Sequence, residues 1–181
     1  IATSNVAAFC YNTSSRNAKG GRAVDNVLTI AEERLNLFAH MANSACGLSL
    51  WCFGMKKQLY TCTCPAEKEF RLFLDLGQCL DYAIAHGPES HAPILMSDPI
   101  GMLWVAECVW HGDDASYLVI LGPVFDAAAS LQTLQNCLRG MNLSVSLTAT
   151  IMEKLEQVPI LPLSTLHQYI KMLHWVLYEE T

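Results

Sequence analysis

The sequence has 181 residues, 52% hydrophobic and 15% charged, which fits one domain and excludes a largely disordered chain. Eleven basic against seventeen acidic residues leave a formal charge of −6. That balance argues against gripping a nucleic-acid backbone, where Lys and Arg must neutralise phosphates. So low a charge also implies that some elements are covered on both faces, by the chain itself or by a second copy.

No run reaches the roughly 20 consecutive apolar residues of a membrane span; the longest uncharged runs, 41–55 and 158–170, are broken by Asn, Ser, Gly or Pro. A charged start followed by an apolar stretch, the mark of a secretion signal, is not seen either. Because the first residue is Ile1, a fragment or processed product is expected. The eight cysteines (Cys10, Cys46, Cys52, Cys62, Cys64, Cys79, Cys108 and Cys137) mostly fall in apolar segments. There a free thiol behaves as a small hydrophobe, so a reduced, cytoplasmic protein is the reading rather than a disulfide scaffold.

Residues 11–21 are polar and aperiodic up to a Gly-Gly end, so 1–22 read as a flexible arm, which leaves 23–181 as the folded domain. From Val24, apolar residues recur every three or four positions through Phe38 and Ala45, an amphipathic helix with Asp25 as N-cap and Gly47 past its end. Two β-prone runs, 48–55 and 59–64, flank a polar link and predict a hairpin. Pro65 opens a helix that carries Phe70, Phe73, Leu74, Leu80 and Ile84 to a stop at Gly87-Pro88. Strands follow over 94–96, 102–110 and 117–121, separated by the turn Ser97-Asp-Pro-Ile-Gly101 and the link 111–114. The last third is helical: Leu131/Leu134/Leu138, Leu147/Ile151/Leu155 and, after the proline-bracketed 158–162, a final helix from Ser164.

The order is helix, two strands, helix, three strands, three helices. It predicts an α+β fold, a five-stranded antiparallel sheet flanked by helices, in the layout of PAS and GAF sensory domains. Layout alone does not assign function.

Four sets of residues carry candidate chemistry. Cys62 and Cys64 lie two apart on a strand, on one face, where they could share a soft metal with Cys79, His86 or His91, or simply be strand cysteines. The six histidines fall in no nucleophile–base signature; His167 and His174, seven apart on the final helix, read as a surface or dimer seam. Glu107 is the one charge inside the fourth strand and needs a partner such as Arg71 or Lys68, a sheet edge, or a polar ligand; Asp113-Asp114 reads as a solvated turn. Trp51, Tyr60, Met96, Trp104 and Cys108, with Glu107, are the candidate ligand-binding residues of an apolar pocket between sheet and helix, or else ordinary core. Leu166, Ile170, Leu173 and Leu177 make one stripe on the final helix, the candidate dimer seam.

Four blocks, Ile94-Leu-Met-Ser-Asp-Pro-Ile-Gly-Met-Leu-Trp104, Leu121-Gly-Pro-Val-Phe125, Val158-Pro-Ile-Leu-Pro-Leu163 and Tyr169-Ile-Lys-Met-Leu-His174, resemble, in that order, the N-terminal regulatory region of AraC-type transcription regulators. The resemblance implies a cytoplasmic effector-sensing and dimerisation domain. It would act on a C-terminal pair of helix-turn-helix units that binds DNA and that this chain, ending at Thr181, lacks. The implied partners are a small-molecule effector, a second copy and, through the missing part, DNA, with no membrane, no cofactor and no catalysis. The effector would enter near Trp51, Trp104 and Cys108 and shift the helix carrying Phe70 and Leu80, or the final helix. A purely structural dimerisation module, or a thiol or metal enzyme using Cys62 and Cys64, are the alternatives.

Overall fold

The computed structural model describes residues 22–178 except 91, 112–113 and 129–130; for 22–32, 111, 114, 116 and 131 it describes the backbone alone. The expected arm lies outside the described residues, save that Arg22 already opens the first helix. The elements are α1 (Arg22–Cys46), β1 (Leu50–Gly54), β2 (Leu59–Cys62), α2 (Glu67–Leu76), α3 (Cys79–Ser90), β3 (Ile94–Ser97), β4 (Leu103–His111), β5 (Asp114–Val124), α4 (Leu131–Gly140), α5 (Val145–Leu155) and α6 (Leu163–Tyr178). The five strands form one antiparallel sheet in the order β2-β1-β5-β4-β3. This is the five-stranded, helix-flanked α+β fold that the element order predicts.

The alternation of strand side chains divides the interior into two cores. One face presents Trp51, Phe53, Trp104, Ala106, Cys108, Leu118 and Ile120 to α2, α3, α4 and α5. The other presents Leu50, Val105, Val109, Val119 and Leu121 to α1 and α6, through Phe38, Ala42, Leu166, Ile170 and Leu173. Covered on both faces, β1 and the 117–121 stretch of β5 are continuously apolar, and β4 carries a single charge between its ends, Glu107, in keeping with the low charge of the chain. The central tryptophans meet edge to face, ring centroids 6.0 Å apart.

Gly122 sits at a register irregularity between β4 and β5. A Cβ there would lie 2.8 Å from the Leu103 carbonyl oxygen, and its φ of +133° is one that glycine tolerates. The resulting close approach lets the Trp51 indole donate to the Gly122 carbonyl at 2.8 Å. Beyond it, Phe125 bridges the 158–162 segment: its N–H donates to Pro159 and its carbonyl accepts from Leu161. Asp126 accepts from the Leu163 N–H at 2.7 Å. These bonds fix where α6 starts and lay it across the sheet.

Three expectations need correction. α1 begins at Arg22, so Asp25 lies inside the helix rather than at its cap. The single helix expected after Pro65 is two, broken where Gln78 turns left-handed at φ 53°; Gly77 beside it packs close, with Asp98 Cα 3.2 Å from where its Cβ would be. α3 then runs through Pro88 to Ser90 instead of stopping at it. Among the described residues, no helix is long and apolar enough to cross a membrane.

Candidate functional site

β3 ends early. Along β4 its pairing reaches only Ala106, opposite the first β3 residue Ile94, so β4 from Glu107 onward has a neighbour only in β5. In this gap lies a cavity of about 300 Å³ lined by Gly87 of α3, Ala92, Glu107, Cys108 and Trp110 of β4, and His174 and Tyr178 of α6. Glu107 and Cys108 point to opposite faces of the sheet, so both can line one cavity only because it wraps the open strand edge. Tyr178 closes part of that edge by donating its hydroxyl to the Cys108 carbonyl. Gly87 lets α3 come against the Cys108 sulfur, where a Cβ would collide.

Glu107 is 4% exposed. Its Oε1 lies 2.5 Å from His174 Nδ1. Its Oε2 is the one buried side-chain polar atom without a hydrogen-bond partner among the described residues. Burial pushes the Glu107 carboxyl above its usual range, against the pull of the hydrogen bond and charge of His174. Burial first, then the neighbouring Glu107, also raises the Tyr178 phenol. The cavity therefore presents an unsatisfied acceptor beside aromatic walls, the complement of a ligand that brings N–H or O–H donors or a positive charge.

Of the sequence-selected ligand residues, only Glu107 and Cys108 border this cavity. Trp51 and Trp104 are fully buried, and both indole N–H groups are bonded, to Gly122 and to Asp98; the space foreseen between them and the helix is solid core. Met96 and the larger open groove it borders, about 520 Å³ between α3 and β3, lie elsewhere. Tyr60 stands exposed on β2, the edge strand, accepting from Gln58.

Glu107 finds neither Arg71 nor Lys68. Arg71 instead lies over the Phe53 ring, 4.6 Å from its centroid, and pairs with Asp75. The dimer-seam stripe also changes role: Leu166, Ile170 and Leu173 are buried against the chain's own sheet and Leu177 packs beside them. The helix needs that stripe to dock, so it is not free to face a second copy. His167 is exposed, while His174 is half-exposed and bonded to Glu107. His91, Asp113 and the side chain of Asp114 lie outside the described residues.

Sequence reasoning missed Asp98. Its composition reads as a turn, yet it is 6% exposed. Oδ1 accepts from the backbone N–H groups of Ile100 and Met102, and Oδ2 from Trp104 Nε1, each at 3.0 Å. Burial outweighs those donors and pushes its carboxyl up to about 6. All its acceptors point inward, so it holds the β3–β4 turn rather than a ligand. Among the described residues no three His, Cys, Asp or Glu side chains gather as metal ligands would, and none of the seven described cysteines is in a disulfide.

The sequence matches no protein-family model and no curated protein.

Proposed function

We propose that this chain is the effector-sensing domain of an AraC-type transcription regulator, and that its effector, a small molecule carrying an amine or a comparable donor group, binds at Glu107. The carrying observation is the buried carboxylate with one oxygen on His174 and the other unpartnered at the edge of a cavity. A buried acceptor left open is costly, and a ligand donor would relieve that cost. The four sequence blocks that resemble AraC-type regulatory regions support the regulatory assignment, and a cytoplasmic site of action follows from it.

The same cavity suggests how binding would be read out. Its walls join β4, rigid within the sheet, to the last turns of α6 through His174 and Tyr178. A cation at Oε2 weakens the hold of Glu107 on His174, so bound and free states differ in the seating of α6. An effector works only through such differential affinity. Dimerisation belongs to the same reading. With Leu166, Ile170 and Leu173 buried, the second copy would meet exposed apolar residues of α1 and α6, Leu37, Met41, Met172 and Trp175.

Thermal shift at pH 7 against a panel of small primary amines, matched neutral alcohols and carboxylates tests the reading, with Glu107→Gln as control. Amines should stabilise the chain and lose that effect in the variant. Stabilisation by carboxylates alone, by nothing, or equally in the variant would sink it. Light scattering of wild type against Trp175→Glu tests the dimer.

A further inference from the structure

The cavity beside Glu107 has two unlike halves, because it wraps the open edge of a strand. On the α6 side of the sheet stand the buried Glu107 carboxyl, its Oε2 unpartnered, and the rings of His174 and Tyr178, whose centroids lie 4.7 Å apart. On the other side stand Cys108 and Trp110, which alternation turns to the face that α3 covers. Gly87 of α3 gives that half a backbone wall with no side chain. Burial, and after it the neighbouring Glu107, pushes the Cys108 thiol up to about 11, so it stays uncharged at neutral pH. One half is an acceptor in want of a donor; the other is an apolar slot beside an indole.

Size and charge narrow what can fill both. At the roughly 30 Å³ that a water molecule takes up in the liquid, a cavity of about 300 Å³ holds about ten heavy atoms. That is room for one aromatic ring, a short carbon chain and an amino group. Among the described residues bordering the cavity there is no lysine or arginine, and the one basic side chain, His174, already faces Glu107. A ligand carboxylate would meet Glu107 without a counter-charge, and carboxylates sharing one site repel. A single carboxylate also answers a single positive charge, so further amino groups on a ligand would be desolvated unpaired. A primary ammonium both donates to Oε2 and offsets its charge; a quaternary nitrogen has no N–H to give.

The geometry points to an arylalkylamine as the ligand of this cavity. Its ammonium sits on Glu107 Oε2, its ring lies in the slot between Trp110, Cys108 and Gly87, and a short carbon chain rounds the strand edge between them. Given Glu107 as the effector site, the second half of the cavity adds the ring, and the missing counter-charge excludes a carboxylate. The site thereby separates an aromatic amine from the amino acid that differs from it only by that carboxylate.

Isothermal titration calorimetry of the full chain at pH 7 with 2-phenylethylamine, propylamine and phenylalanine tests this. Burying a phenyl ring is worth about ten- to a hundredfold in affinity, so 2-phenylethylamine should bind at least about tenfold more tightly than propylamine. Phenylalanine should bind at least about tenfold more weakly than 2-phenylethylamine, its carboxylate unanswered. Glu107→Gln should weaken 2-phenylethylamine by about tenfold, the difference between a charge-assisted and a neutral bond. Ala92 borders the cavity at an exposed position, so Ala92→Leu narrows the space without disturbing the core. It should weaken 2-phenylethylamine about tenfold, and Ala92→Ser by no more than about twofold. Propylamine or phenylalanine binding as tightly as 2-phenylethylamine, or Ala92→Leu binding as Ala92→Ser does, would overturn the arylalkylamine and leave Glu107 an amine site. No binding of either amine, or equal binding by Glu107→Gln, would overturn both.

Discussion

Replacing Glu107 by Gln keeps the shape of the side chain and removes its charge, and the free protein should gain about 1 kcal/mol. Two opposing effects set that figure. The lost ion pair contributes little, because His174 is half-exposed and pairs open to solvent give about 0–1 kcal/mol; Gln retains a neutral bond to Nδ1. The opposing effect is the unpartnered Oε2: a Gln amide nitrogen there is also unpaired, but as a neutral group it is cheaper to bury than a charged oxygen, by about 1–2 kcal/mol. A net gain of that size raises Tm by about 2–4 °C in a domain of this length.

The pH dependence provides a second check on the same variant. Because burial raises the Glu107 carboxyl above its ordinary 4.5, its contribution to stability is full below 4.5 and is lost as pH rises through the raised value. The advantage of Gln over Glu should therefore shrink as pH falls from 7 to 5. Urea denaturation followed by the fluorescence of the buried tryptophans measures both. A variant less stable than wild type by more than 1 kcal/mol at pH 7, or an advantage that ignores pH, would refute the idea of an acceptor left open.

Asp98→Ala strands three buried N–H groups at about 1–3 kcal/mol each but relieves about 3 kcal/mol at pH 7, the shift from 3.8 to about 6. A net loss of about 2 kcal/mol at pH 7, rising to about 5 near pH 4, is expected from denaturation at the two pH values, since wild type gains as the carboxyl protonates below 6. Gly87→Ala drives a Cβ into Cys108 Sγ and should cost about 1–3 kcal/mol. A double-mutant cycle with Cys108→Ala should recover at least 1 kcal/mol of it. Tyr178→Phe removes the bond to the Cys108 carbonyl for about 1 kcal/mol, and hydrogen exchange should quicken in the last turn of α6 while the sheet keeps its protection. Leu173→Ala should cost about 2–5 kcal/mol by an amount independent of protein concentration, since that residue belongs to the chain's own core.

Helices and strands were legible because their signals are local. Apolar residues at three and four spacing exposed α1 and α6, and a nearly unbroken apolar run exposed β4, including the solitary charge of Glu107 that demanded a partner. The two-layered cover followed from the scarcity of charge. Periodicity, however, says that a helix has a face and not what the face meets. The Leu166–Leu173 stripe reads equally as a dimer seam or as core, and only the docking of α6 on β4 and β5 decided for core.

Contacts between distant segments decided the rest. Helix α2 parts from α3 at Gln78, whose left-handed φ periodicity does not encode, and Gly77 beside it packs close to Asp98, twenty-one residues on. The partner of Glu107 lies 67 residues away, and the cavity beside it exists because β3 stops one residue short of it. Sequence alone established a charge that had to be answered on a buried strand. Tertiary structure decided that the answer is half given, by one histidine on the last helix, since a carboxylate has two oxygens and the fold bonds only one.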